Sequence, residues 1–127
     1  MLKAVNSEKL AMIPNAPFSQ SVAAGDFLFV SGQVGSDPAT GKIVEGGVQA
    51  QAERAIQNIG IVLEANGLSY ESVVKATCFL ADIGNFGAFN EIYSKYFIGK
   101  PARSCFAVKD LPLGADVEVE VIAYLGK

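Results

Sequence analysis

An α+β fold, with a mixed β-sheet and two helices packed on one face, is what this sequence predicts, and three observations lead there. Short apolar runs bounded by turn residues alternate with two segments of helical periodicity, in the order ββαβαββ. A strand, helix and strand returning to one sheet set the helix on a consistent side. The 127 residues suffice for one hydrophobic core without a metal or disulfide staple, so a single domain, residues 1–127, is expected.

The elements follow in order. Residues 20–23 form a first strand, Ala24-Gly25-Asp26 a turn, and residues 27–34 (Phe-Leu-Phe-Val-Ser-Gly-Gln-Val) a largely buried second strand. Residues 35–42 are dense in turn formers and lack the Gly-Lys-Ser/Thr ending of a phosphate loop, so they read as a surface loop. From 48 to 65, Val48, Ala52, Ala55, Ile56, Ile59, Val62 and Leu63 recur at the spacing of one helical face, and Asn66-Gly67 supplies the stop. Residues 73–80 read as a strand and 81–85 as a turn. A second helix follows, with Phe86, Phe89, Tyr93 and Tyr96 as an aromatic core-facing stripe. Two last strands, 103–108 and 116–125, are joined by 109–115.

Composition narrows the function. Half the residues are apolar and only 18% charged, an oily allowance that predicts closure of some surface against another copy of the chain. A net charge of −3 and a pI of 4.9 oppose a nucleic-acid footprint, which normally shows a basic stripe and a pI above about 9. No apolar run reaches the roughly 18 residues of a membrane span, and no signal core opens the sequence, so a soluble cytoplasmic protein is expected. There is no histidine, which removes Ser-His-Asp and Cys-His arrangements and the commonest zinc ligand together. Cys78 and Cys105 form no Cys-x-x-Cys pair, so no metal site is expected.

Of the two arginines, Arg54 sits in the helical pattern and is expected to face water. Arg103, in Lys100-Pro101-Ala102-Arg103-Ser104-Cys105, is the one to explain. A guanidinium is a rigid charged fork suited to a carboxylate or phosphate. Strand alternation puts Val117, Val119 and Val121 on one face and Asp116, Glu118 and Glu120 on the other. Assigning Phe106 and Val108 to the helices as apolar floor leaves Arg103, Cys105, Glu118 and Glu120 together on the far face, joined by Lys75, Thr77 and Phe79. Two readings stand open there: a cross-strand ion pair worth under about 1 kcal/mol when exposed, or a ligand clamp. Cys105 reads as a packed, inert thiol, because no histidine is present to serve as its base.

A colinear set of motifs goes further: Pro17-Phe18-Ser19-Gln20, Val30-Ser31-Gly32-Gln33-Val34, Asp37-Pro38-Ala39-Thr40-Gly41, Asn58-Ile59, Val74-Lys75-Ala76-Thr77, Asn90, Tyr93, Tyr96-Phe97, Pro101-Ala102-Arg103-Ser104 and Val117-Glu118-Val119-Glu120. Over nearly the whole chain it resembles the RidA/YjgF family of reactive-intermediate deaminases. The resemblance implies a chorismate-mutase-like fold and a homotrimer with a central barrel and three intersubunit clefts. It also implies cofactor-free hydrolysis of 2-imino acids, or their enamine tautomers, to 2-keto acids and ammonia. By position, Arg103 would grip the substrate carboxylate. Glu118 would hold the attacking water, and Phe18, Ser31, Gly32, Asn90 and Cys105 would complete the binding cleft. The chain departs from the family pattern at Phe18, where tyrosine is usual, and in a slightly shorter loop at Ile98-Gly99-Lys100. Two rival functions remain, a module that binds carboxylate metabolites or proteins without turnover, and translation inhibition by RNA cleavage, which the acidic pI opposes.

Overall fold

A computed structural model describes residues 2–10 and 15–126. Six strands, β1 (Leu2–Val5), β2 (Ser21–Ala24), β3 (Phe27–Val34), β4 (Val73–Leu80), β5 (Ala102–Ala107) and β6 (Val117–Tyr124), form one mixed sheet in the order β1-β2-β3-β6-β4-β5. Helix α1 (Gly47–Ala65) and helix α2 (Phe86–Tyr96) share a single buried cluster with one face of that sheet. Every strand pairing is antiparallel except β4 with β5, which is parallel because α2 carries the chain back to the same end. Sequence reasoning missed β1, whose four residues are too short a run to stand out from its surroundings.

The core follows from the two periodicities. Along β6, Val117, Val119, Val121 and Ala123 are buried, while Ala76, Cys78 and Leu80 do the same along β4. Against them lie Ala52, Ala55, Ile56, Ile59, Val62 and Leu63 of α1, the expected helical face, and Phe89 and Ile92 of α2. Helix α1 ends as its sequence predicts: Gly67 takes φ 73° and the Leu68 N–H donates to the Leu63 carbonyl at 2.9 Å. Arg54 is half-buried rather than turned wholly to water, because its Nε donates to Oδ1 of the buried Asn58 at 3.1 Å.

The sheet face assigned to Arg103 and Cys105 needs correction. In the parallel register Arg103 lies beside Ala76 and Cys105 beside Cys78, both buried under the helices. Phe106 lies beside Phe79, with ring centroids 5.5 Å apart, on the face away from the helices. Glu118 is the register partner of Phe79 and belongs to that outer face too. Arg103 and Cys105 are therefore on the helix side and Glu118 and Glu120 on the opposite one. Hydrophobicity misassigned the strand because the outer face is itself apolar: Phe27, Phe29, Phe106 and Tyr124 are all substantially exposed on it. No helix among the described residues is long and apolar enough to cross a membrane.

Candidate functional site

Two clusters of chemistry-bearing residues emerge. The first is built on β5, an edge strand, and on the face of α2 that carries Phe86, Asn90 and Tyr93, spaced four and three residues apart so that they align. Arg103 donates from Nη1 to Asn90 Oδ1 at 2.8 Å. Its guanidinium carbon lies 4.6 Å from the Tyr93 ring centroid and 5.5 Å from that of Phe86. Each such cation–π contact contributes about 0.5–2 kcal/mol, more as water is excluded. One hydrogen bond and two aromatic faces thus fix the plane of a charge, leaving its other N–H donors for an anion. A pocket of about 330 Å³ beside it is walled by Tyr93, Phe97, Ile98, Lys100 and Pro101.

Cys105 stands two residues along on the same side. Burial pushes its thiol up, opposed by the smaller pull of Arg103. Cys78, more deeply buried, is pushed up to about 12 by desolvation first and by the Cys105 thiol second. A thiol held protonated is a poor nucleophile. The Tyr93 hydroxyl is likewise raised to about 12, chiefly by burial, and among the described residues it has no hydrogen-bond partner.

The second cluster surrounds Glu118 on the outer face. Between Val30 and Gln33 the register of β3 with β6 shifts, so Ser31 and Gly32 together oppose Glu120 in a β-bulge. A Cβ on Gly32 would sit 2.6 Å from Glu118 Oε2, so only glycine lets this carboxylate lie against the strand. The Ser31 hydroxyl donates to the Ser19 carbonyl at 2.6 Å and its N–H to the Gln20 carbonyl at 2.9 Å, which ties the segment bearing Phe18 to the bulge. Burial, and then the neighbouring Glu120, raise the Glu118 carboxyl above its ordinary value. A cleft of about 720 Å³ opens here, lined by Phe18, Ser31, Gly32, Leu113 and Glu118 among others.

The predicted site residues thus fall into two sets: Arg103, Asn90 and Cys105 on the helix side, and Phe18, Ser31, Gly32 and Glu118 on the outer face. A single chain does not bring the sets together, and no Arg103 to Glu118 ion pair forms. Sequence reasoning took Phe86 and Tyr93 as plain core. Their spacing with Asn90 was the available signal that all three serve one cation. Leu113 was missed, because nothing in a turn sequence announces which way an exposed leucine points.

The sequence model of a family described as Endoribonuclease L-PSP matches residues 8–125. A mouse protein named 2-iminobutanoate/2-iminopropanoate deaminase is 43% identical over 127 residues, covering 99% of this chain and 94% of its own. Among solved structures, yeast Mmf1 superposes with a TM-score of 0.92 at 40% identity over 98% of each chain. Escherichia coli TdcF with bound serine gives 0.88 at 33% identity, over 96% of this chain and 98% of that one.

Proposed function

Because this chain belongs to the Endoribonuclease L-PSP family, the RidA/YjgF group that its motifs resemble, we propose that it hydrolyses 2-imino acids to 2-keto acids and ammonia without a cofactor. The observation that carries the reading is the immobilised guanidinium of Arg103; on the opposite sheet face stands a partly buried carboxylate, Glu118, of raised proton affinity. The activity of the mouse relative and the serine bound by TdcF, an amino acid with a carboxylate, support it.

The free N–H edge of Arg103 takes the substrate carboxylate in a bidentate grip and so orients the adjoining C=N carbon. Glu118 accepts a proton from a water molecule as its oxygen adds to the iminium carbon, giving a carbinolamine. Glu118 returns that proton to the amine nitrogen, the C–N bond breaks to release ammonia, and Glu118 takes the hydroxyl proton as the keto group forms. An iminium carbon is electrophilic enough for water, so histidine, a reactive thiol or a metal is not required.

Completing the site takes two copies. Arg103, Asn90 and Cys105 of one copy close over the cleft formed by Phe18, Ser31, Gly32 and Glu118 of its neighbour. Three copies bury the apolar outer faces around a central barrel, which is the use for exposed Phe27, Phe29, Phe106 and Tyr124. Residues 1–127 act as one domain in this assembly.

Ammonia release from freshly generated 2-iminobutanoate tests the reading. Wild type should accelerate it, and Arg103→Ala and Glu118→Gln should each lower kcat/KM by about 100-fold or more while the sedimentation coefficient is unchanged. Equal rates with and without wild-type protein would overturn the proposal, and RNA cleavage by the same preparation would favour the activity in the family's description.

A further inference from the structure

We infer that Tyr70, on the short turn Tyr70–Ser72 between α1 and β4, is a positioning residue for Arg103, acting through the packed rings of Phe97 and Tyr93. Its effect on rate rests on the deaminase reading; its effect on where the guanidinium lies does not.

The guanidinium carbon of Arg103 lies 4.6 Å from the centroid of the Tyr93 ring. The Tyr93 hydroxyl has no hydrogen-bond partner among the described residues, so packing alone fixes that ring. Phe97, four residues on, stacks against it with centroids 4.5 Å apart and planes 26° from parallel, and Phe89 leans on it at 5.8 Å. Phe97 is itself 2% exposed, and the Tyr70 ring meets it edge-on, at 81° with centroids 5.4 Å apart. Arg103, Tyr93, Phe97 and Tyr70 thus form one column of contacts.

The far end of the column is anchored in α1. The Tyr70 hydroxyl donates to the Ile56 carbonyl at 2.8 Å. It reaches that carbonyl because residue 60 is glycine: a Cβ there would collide with the hydroxyl oxygen. Glycine is a poor residue for a helix interior, and this close approach is what requires it. Burial first, and the Tyr96 phenol second, push the Tyr70 hydroxyl up to about 12 against the pull of Arg54, so it remains a donor through the neutral range. Tyr96 also packs on the Tyr70 ring, with centroids 5.4 Å apart, and is tied to α1 by donating to Glu53 and accepting from Gln57 at 3.2 Å. Held at hydroxyl and flank in a close-packed interior, the Tyr70 ring passes a displacement on to Phe97.

A bidentate grip needs the guanidinium fork in the plane of the carboxylate it holds. Moving the ring beneath Arg103 turns that plane, and a misplacement of about 1 Å lowers a rate by up to about 100-fold.

The chain has two arginines, so its spectrum of arginine Nε–H groups in nitrogen–proton NMR holds two signals, which Arg103→Lys tells apart. The Tyr93 ring face should displace the Arg103 signal from its ordinary position. In Tyr70→Leu, which keeps bulk and removes the ring edge and the hydroxyl, that displacement should shrink and kcat/KM for 2-iminobutanoate should fall about tenfold, with Tyr70→Phe recovering most of both. Introduced into the Arg103→Ala background, Tyr70→Leu should lower the residual rate no further. Gly60→Ala, which keeps every ring of the column, should move the same signal and replaces Tyr70→Leu if that variant does not fold. An Arg103 signal unmoved in the folded variants, a moved signal with kcat/KM unchanged, or an equal rate loss in the Arg103→Ala background overturns the positioning role. If wild type hydrolyses no imine, the hydrolase reading fails separately and the spectrum alone decides whether Tyr70 places the guanidinium.

Discussion

At Glu118, a carboxyl raised above its ordinary 4.5 by burial and by Glu120 has, in the proposed mechanism, a direct kinetic consequence. Only the deprotonated form can accept a proton from water, and raising its pKa moves loss of that form to higher pH. Hence kcat/KM falls as pH is lowered through this group, with a midpoint above 4.5, and the limb is absent from whatever residual rate Glu118→Gln retains; a pH–rate profile measures both. The importance of Arg103 was legible in the sequence, since it is one of two arginines, stands beside a proline and aligns with family motifs. The atoms that hold it were not legible. Asn90 was assigned to the cleft, and the structure gives it a nearer task as the acceptor for Nη1. A half-buried amide beside a guanidinium becomes visible only once β5 and α2 are packed together.

Between elements, the join of β3 to α1 depends on contact too close for any side chain. A Cβ at Gly35 would lie 2.5 Å from the Gln51 carbonyl oxygen and 2.6 Å from its Cα, both backbone atoms of α1. Gly35→Ala should therefore destabilise the fold by about 2–3 kcal/mol, read from chemical denaturation, without altering residues at the cleft. Two turns along, fully buried Asn58 ties the same seam: its Nδ2 donates to the Val34 carbonyl at 3.1 Å and the Ser36 carbonyl at 2.9 Å. Helix α1 and strands β3, β4 and β6 could be read from periodicity almost to the residue. The side that each face of β5 takes could not, because its large apolar group, Phe106, stands with Phe79 on the outer face while Arg103 and Cys105 face the helices. Periodicity separates two faces without saying which one a helix covers.

For the whole molecule, two half-sites on opposite sides of one sheet mean that, under the proposed function, catalysis belongs to the assembly. If Arg103→Ala and Glu118→Gln subunits are unfolded together in equal amounts and reassembled, cyclic trimers of mixed composition contain one cleft with both groups intact. Random mixing should restore about a quarter of wild-type activity from two inactive parents, measured as ammonia release. No recovery, with mixed trimers verified by mass, would place the whole site within one chain. The strand order has a further bearing on biogenesis. Strand β6 is the last of the six described strands to be made, yet it lies between β3 and β4 and pairs with both. Until its residues leave the ribosome, the N-terminal hairpin and the segment from β4 onward have no shared backbone ladder, and two strand edges stand open. The sheet is thus completed only after β6 has emerged, and the interval before this valine-rich strand docks is when chaperone binding matters most.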